Sequence, residues 1–112
     1  SGFKVGAAVL TASGKIYTGV NIENATFGAT CCAERTAVYK AVSEGEKSIQ
    51  AVAIASSGTD TVFPCGICRQ VMAEFGDDDL KILCSRGNGE YDVYTLGELL
   101  PHAFRLDETE DT

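Results

Sequence analysis

The chain has 112 residues, 45% of them apolar, enough for one compact core and too few for a second independent domain, so residues 1–112 are read as a single unit. Sixteen acidic against nine basic side chains give a net charge of -7; that field repels phosphate backbones, and no Lys and Arg cluster offers a track for a nucleic acid strand. No run approaches the roughly 20 apolar residues of a membrane span, and the beginning lacks the basic-then-apolar layout of a secretion signal. The expectation is a soluble, cytoplasmic protein with neither nucleic acid nor membrane as partner.

Val5 to Thr11 is a run rich in small apolar residues, followed by the turn pair Ser13-Gly14 and then by Lys15 to Val20, a pattern that predicts a β-hairpin. Asn21 to Ala25 is polar and follows the second strand directly, so it is expected to form a loop at the end of the sheet, where binding residues commonly sit. From Cys32 to Ser43 the residues Ala33, Ala37, Val38, Ala41 and Val42 recur at helical spacing, with Gly45 as a stop. Ile49 to Ala55 reads as a buried strand. Cys65 to Phe75 is again helical through Ile67, Val71, Met72 and Phe75, and Gly76 closes it.

Leu80 to Cys84 and Tyr91 to Tyr94 predict two more strands. Thr95 then caps a brief helix through Leu99 and Leu100, ended by Pro101. Residues 106–112 form an acidic tail expected to be solvated and frayed. Alternating strands and helices imply crossover connections and parallel pairing, while the opening hairpin adds an antiparallel pair, so the sheet should be mixed and the class α/β.

The chemistry is carried by Cys32-Ala33-Glu34 and Pro64-Cys65-Gly66-Ile67-Cys68. Three thiolates leave a tetrahedral zinc with one open position, the catalytic arrangement, and Glu34 stands beside it as a carboxylate able to move protons. Three thiolates and one Zn2+ carry a surplus negative charge. Both ligand groups begin helices, whose N-termini bring partial positive charge and N–H groups toward sulfur, and Arg35 lies three residues after Cys32 on the same face. Disulfides, a redox-active C-x-x-C, and a four-ligand structural zinc completed by Cys31, Cys84 or His102 are the competing readings of the same residues. Cys84, inside an apolar run, otherwise reads as core, Cys31 as packing, and His102 as a surface or subunit contact.

Five stretches in order together resemble the small, three-cysteine cytidine deaminases: Phe3 to Ala8, Asn21 to Ala25, Cys32 to Ala37, Pro64 to Gln70 and Leu99 to Phe104. The resemblance implies a three-layer α-β-α fold with a five-stranded mixed sheet, a homotetramer, one zinc ion per chain, and hydrolysis of cytidine or deoxycytidine to the uridine counterpart with release of ammonia in pyrimidine salvage. By position it implies Cys32, Cys65 and Cys68 as zinc ligands, Glu34 as proton shuttle and Arg35 as the cation that offsets thiolate charge. Asn21 and Glu23 resemble the pair that holds the ribose, the Ala33 N–H and Glu34 would read the base, Phe3 would pack on the pyrimidine, and Phe104 resembles an aromatic lent to a neighbouring subunit.

Three departures stand out. The family usually has a helix before the segment equivalent to Ser1-Gly2-Phe3, so one sheet face is expected to be bare or covered by assembly. Phe27 stands where a tyrosine is common at an intersubunit contact to substrate, and Cys31 replaces a residue that is usually not cysteine. A deaminase acting on a nucleoside antibiotic, and a zinc-stabilised binding domain without turnover, are the other functional readings.

Overall fold

The computed structural model describes residues 4–26, 28, 30–58 and 60–106. Strands β1 (Val5–Thr11) and β2 (Ile16–Val20) form the expected hairpin, with Gly14 at φ +88° in the connection, a conformation that glycine adopts without strain. Helix α1 (Ala33–Ser43) leads to β3 (Ile49–Ser56), and α2 (Gly66–Phe75) leads to β4 (Lys81–Ser85). Strand β5 (Tyr91–Thr95) runs directly into the short helix α3 (Leu96–Leu99). At that junction Thr95 and Glu98 form a reciprocal capping box, so the last helix begins where Thr95 predicts.

The strands form one mixed sheet in the order β2-β1-β3-β4-β5. Only the β3–β4 pair is parallel; β1 is antiparallel to both β2 and β3, and β4 to β5. Strands β2, β3 and β4 therefore run the same way, and the connections β2-α1-β3 and β3-α2-β4 both move in one direction across the sheet. Right-handed crossovers then put α1 and α2 on the same face. The core lies between: Ala7 and Val9, Val52 and Ile54, and Ile82 and Cys84 alternate inward and pack with Ala37 and Val38 of α1 and Met72 and Ala73 of α2.

The opposite face is different. Pairing puts Leu10 beside Ile16, Gly6 beside Val20 and Leu83 beside Val93, and Ile16, Val20 and Val93 are 66%, 61% and 59% exposed. The five-stranded mixed sheet is as expected, but of the expected three layers the described residues form two. The reason is topological: both crossovers share one hand and one direction, so neither helix reaches the second face. Among the described residues no helix is long and apolar enough to cross a membrane. Leu106 is exposed, and the rest of the expected acidic tail lies outside the described residues.

One contact in the fold positions the site directly. A Cβ built on Gly19 would lie 2.5 Å from the Ala37 nitrogen and 2.7 Å from the Ala33 carbonyl oxygen, so α1 crosses β2 at a distance only glycine permits.

Candidate active site

Strands β2 and β3, which run the same way on either side of β1, each deliver the chain at their carboxyl ends to a loop and then to a helix start, so the N-termini of α1 and α2 emerge on the same edge of the sheet, where open α/β folds bind ligands. Cys32 is the N-cap of α1 and Cys65 the N-cap of α2, both in extended backbone. Cys68 follows in the first turn of α2. Their three sulfurs lie within 4.8 Å of one another, with 3.6 Å from Cys32 Sγ to Cys65 Sγ and 3.3 Å from Cys65 Sγ to Cys68 Sγ. Tetrahedral zinc with bonds of about 2.3 Å sets its sulfurs about 3.8 Å apart, so this donor set fits the metal with small adjustments.

Exposure falls across the cluster: Cys65 is exposed, Cys32 half-buried and Cys68 buried. Burial pushes the Cys65 thiol up, but the Cys68 N–H at 3.4 Å, with the neighbouring Cys68 and Cys32 thiols, outweighs it, and the net direction is down. Cys68 goes the other way, raised by burial first and then by the Glu34 charge. A divalent cation resolves that opposition, because it favours thiolate at both positions. Arg35 Nη2 donates to Cys32 Sγ and to the Thr30 carbonyl, each at 3.5 Å, and the Cys32 contact raises the guanidinium pKa further.

Glu34 is 4% exposed in the first turn of α1. Burial raises its pKa, against the opposing pull of its own backbone N–H, the Cys68 thiol and Arg35. A carboxyl so placed takes up a proton more readily than one in water. Its carboxyl interacts with the Cys68 thiol, so it stands directly beside the cysteine cluster.

The other expected site residues divide into three groups. Asn21 directly follows β2, and its Oδ1 accepts from the Val5 N–H at 3.0 Å, so this side chain ties the loop to β1. Glu23 is exposed in the same loop, and Ala33 is buried as the first residue of α1. Phe104 is 71% exposed. Phe3 and Phe27 lie outside the described residues.

The rival ligands are set apart. Cys31 pairs with Ile22 in an antiparallel bridge, and its sulfur accepts from the Thr36 hydroxyl at 3.6 Å, so alternation along the chain sends Cys31 away while Cys32 enters the cluster. Cys84 is fully buried in the core, and His102 is exposed with φ 56°. Among the described residues no fourth cysteine or histidine joins the three sulfurs, and all five cysteines are free of disulfides.

Residues 1–84 match the family model described as the cytidine and deoxycytidylate deaminase zinc-binding region. The chain belongs to the cytidine and deoxycytidylate deaminase family. It is 46% identical over 111 residues to a cytidine deaminase of Halalkalibacterium halodurans, covering 99% of this chain and 84% of the relative. A cytidine deaminase structure from Burkholderia pseudomallei superposes with a TM-score of 0.86 at 42% identity, covering 92% of this chain and 83% of that one. A blasticidin-S deaminase of Bacillus cereus is 34% identical over 105 residues, 87% of this chain and 74% of the relative.

In this deaminase-family chain some supporting residues carry no role that sequence reasoning assigned. Gly19 had a signal, a glycine inside a strand pattern, which marks a close backbone approach. Arg69 and Gln70 stand in a quoted motif, yet their bonds to Leu99 and Phe104 span some thirty residues and leave no local trace.

Proposed function

We propose that this chain hydrolyses cytidine and deoxycytidine to uridine and deoxyuridine, releasing ammonia. The observation that carries the reading is the buried Glu34 carboxyl set against three convergent cysteine sulfurs that no fourth described ligand closes. Cys32, Cys65 and Cys68 would hold one zinc ion, which when bound supplies Lewis acidity with one coordination position open.

Around that centre each residue has a definite task. Glu34 accepts the proton of the attacking water, passes a proton to the ring nitrogen next to the reacting carbon, and delivers the next to the departing amine, so the C–N bond breaks to give ammonia. Its burial suits both halves of the cycle, because it raises the proton affinity of the carboxyl above that of a carboxylate in water. Arg35 and the two helix N-termini offset the surplus charge of the thiolates. The Ala33 N–H, at the open start of α1, is available to the base. Asn21 and Glu23 offer an amide and a carboxylate to ribose hydroxyls from one loop.

The remaining assignments rest on the family resemblance. Phe3 packs on the pyrimidine, and Phe27 and Phe104 complete the pocket of a neighbouring subunit in a homotetramer; the exposure of Phe104 supports that role. The proposed setting is pyrimidine salvage in the cytoplasm, which a small uncharged substrate and an acidic chain suit.

The test is to incubate zinc-analysed protein with cytidine, deoxycytidine and blasticidin S, following the deaminated product and ammonia, with Glu34→Ala alongside. Conversion of the two nucleosides by the parent, with zinc retained and conversion lost in Glu34→Ala, is the expected result. Conversion of blasticidin S alone would move the substrate to the nucleoside antibiotics, and activity surviving Glu34→Ala would remove the shuttle.

A further inference from the structure

Arg69 follows Cys68 on α2 and reaches in two directions. Its Nε donates to the Pro64 carbonyl at 2.8 Å, the peptide that leads into Cys65, and its Nη1 donates to the Leu99 carbonyl at 2.8 Å, at the end of α3. The neighbouring Gln70 donates from Nε2 to the Phe104 carbonyl at 2.7 Å. Further along the same helix, the Arg105 guanidinium donates to the carbonyls of Ala73 and Gly76 and pairs with Asp78. Leu99, Leu100 and Ala103 pack against the core between these bonds. Residues 99–105 are thus laced along α2, and the lacing begins at the loop that presents a cysteine of the cluster.

We propose that Arg69 is a positioning residue that couples metal occupancy of the Cys32, Cys65 and Cys68 cluster to the order of the segment 99–106, which carries Phe104. The inference rests on the reading that these cysteines hold zinc. With zinc bound, the Cys65 loop is fixed and Pro64 holds the Arg69 fork in place; the fork then anchors Leu99. Linkage makes the effect reciprocal, so loosening the segment loosens the metal loop. A lysine cannot substitute, because an ammonium on a flexible stem lacks the rigid pair of donors that spans two carbonyls.

The experiment compares the zinc-loaded parent with Arg69→Lys by hydrogen exchange over peptides covering 99–106 and by the rate of zinc release to a chromophoric chelator. The expected result is exchange at 99–106 about threefold faster or more, and zinc release roughly 10-fold faster, while β1 and β3 keep parental protection. Parental zinc release in Arg69→Lys, or faster release with parental exchange over 99–106, overturns the coupling. The unaltered chain supplies a second measurement that needs no variant: partial chelation, at a temperature where β1 and β3 stay protected, is expected to speed exchange at 99–106. No change there overturns the proposal equally. Metal analysis separates the two failures, since a parent that retains no zinc sinks the zinc reading and this coupling together, whereas a zinc-loaded parent without the coupling sinks the coupling alone.

Discussion

Arg35 Nη2 lies 3.5 Å from Cys32 Sγ, and the guanidinium Nε behind it is buried with no hydrogen-bond partner among the described residues. A buried polar atom left without a partner costs on the order of 1–3 kcal/mol, so the side chain is held here by what its other nitrogens do: they bring a cation to the sulfur. Removing that cation leaves the surplus charge of three thiolates less compensated. Arg35→Gln is expected to fold, to release zinc more readily, and to lose roughly 10- to 100-fold in metal affinity or kcat/KM. Zinc competition assays and steady-state kinetics check it; a variant with parental values in both would show that the helix N-termini alone offset the charge.

Gly19 sets the distance between β2 and α1, and the atoms in its way are backbone atoms of Ala33 and Ala37. A backbone neighbour cannot swing aside as a side-chain tip can. Gly19→Ala is therefore expected to push α1 outward, at a cost of about 1–3 kcal/mol, and to carry Glu34 with it. Thermal denaturation should show a Tm several degrees lower, and kcat should fall even at full zinc loading. An unchanged Tm would mean that the sheet edge yields in place of the helix.

What was legible in the sequence was local. Helical spacing in α1 and α2, alternation in the strands, the Ser13-Gly14 turn and the Thr95 cap each depend on residues a few positions apart, and the structure forms those elements within a residue or two of their expected bounds. The convergence of Cys32, Cys65 and Cys68 was legible because residues that could share a metal ion recur at a characteristic spacing. The bare sheet face was foreseen only through family resemblance, and the two-layer arrangement follows from strand order, which no periodicity encodes. Arg69 and Arg105 act across about thirty residues on carbonyls, which every residue possesses, so nothing in the partner's identity announces the bond. Asn21 shows a third limit: read as a substrate contact, it also holds Val5, and one side chain with several donors and acceptors can do both.

Glu46 provides a pH-dependent contribution far from the site. Ser13 Oγ donates to its carboxylate at 2.9 and 3.0 Å, and the Tyr17 hydroxyl donates at 3.1 Å, pinning the hairpin to the end of α1. The Ser13 bond leads the causes that lower the Glu46 pKa. A lowered folded-state pKa means stabilisation that is fully present above the ordinary carboxylate range and is lost as pH falls through the folded value. The Tm difference between the parent and Glu46→Gln should be present at pH 7 and shrink toward zero at acid pH. The difference, not either Tm, is the quantity to follow, because protonation of the cysteines would release the proposed zinc from both chains alike.

Zinc removal is expected to lower stability as well as activity, because the cluster joins the N-termini of α1 and α2 and binding energy realised only in the folded state adds to folding energy. At free zinc about 100 times Kd the linkage amounts to about 2.7 kcal/mol, enough to shift the Tm of a domain near this size by roughly 10 °C. Thermal scans with graded zinc and chelator test this directly. A Tm that rises with the logarithm of free zinc and is lost in Cys65→Ser would tie the effect to this cluster. A Tm indifferent to chelation would mean that packing alone sets the two helix starts side by side, and the assignment of the three cysteines as ligands would have to be withdrawn.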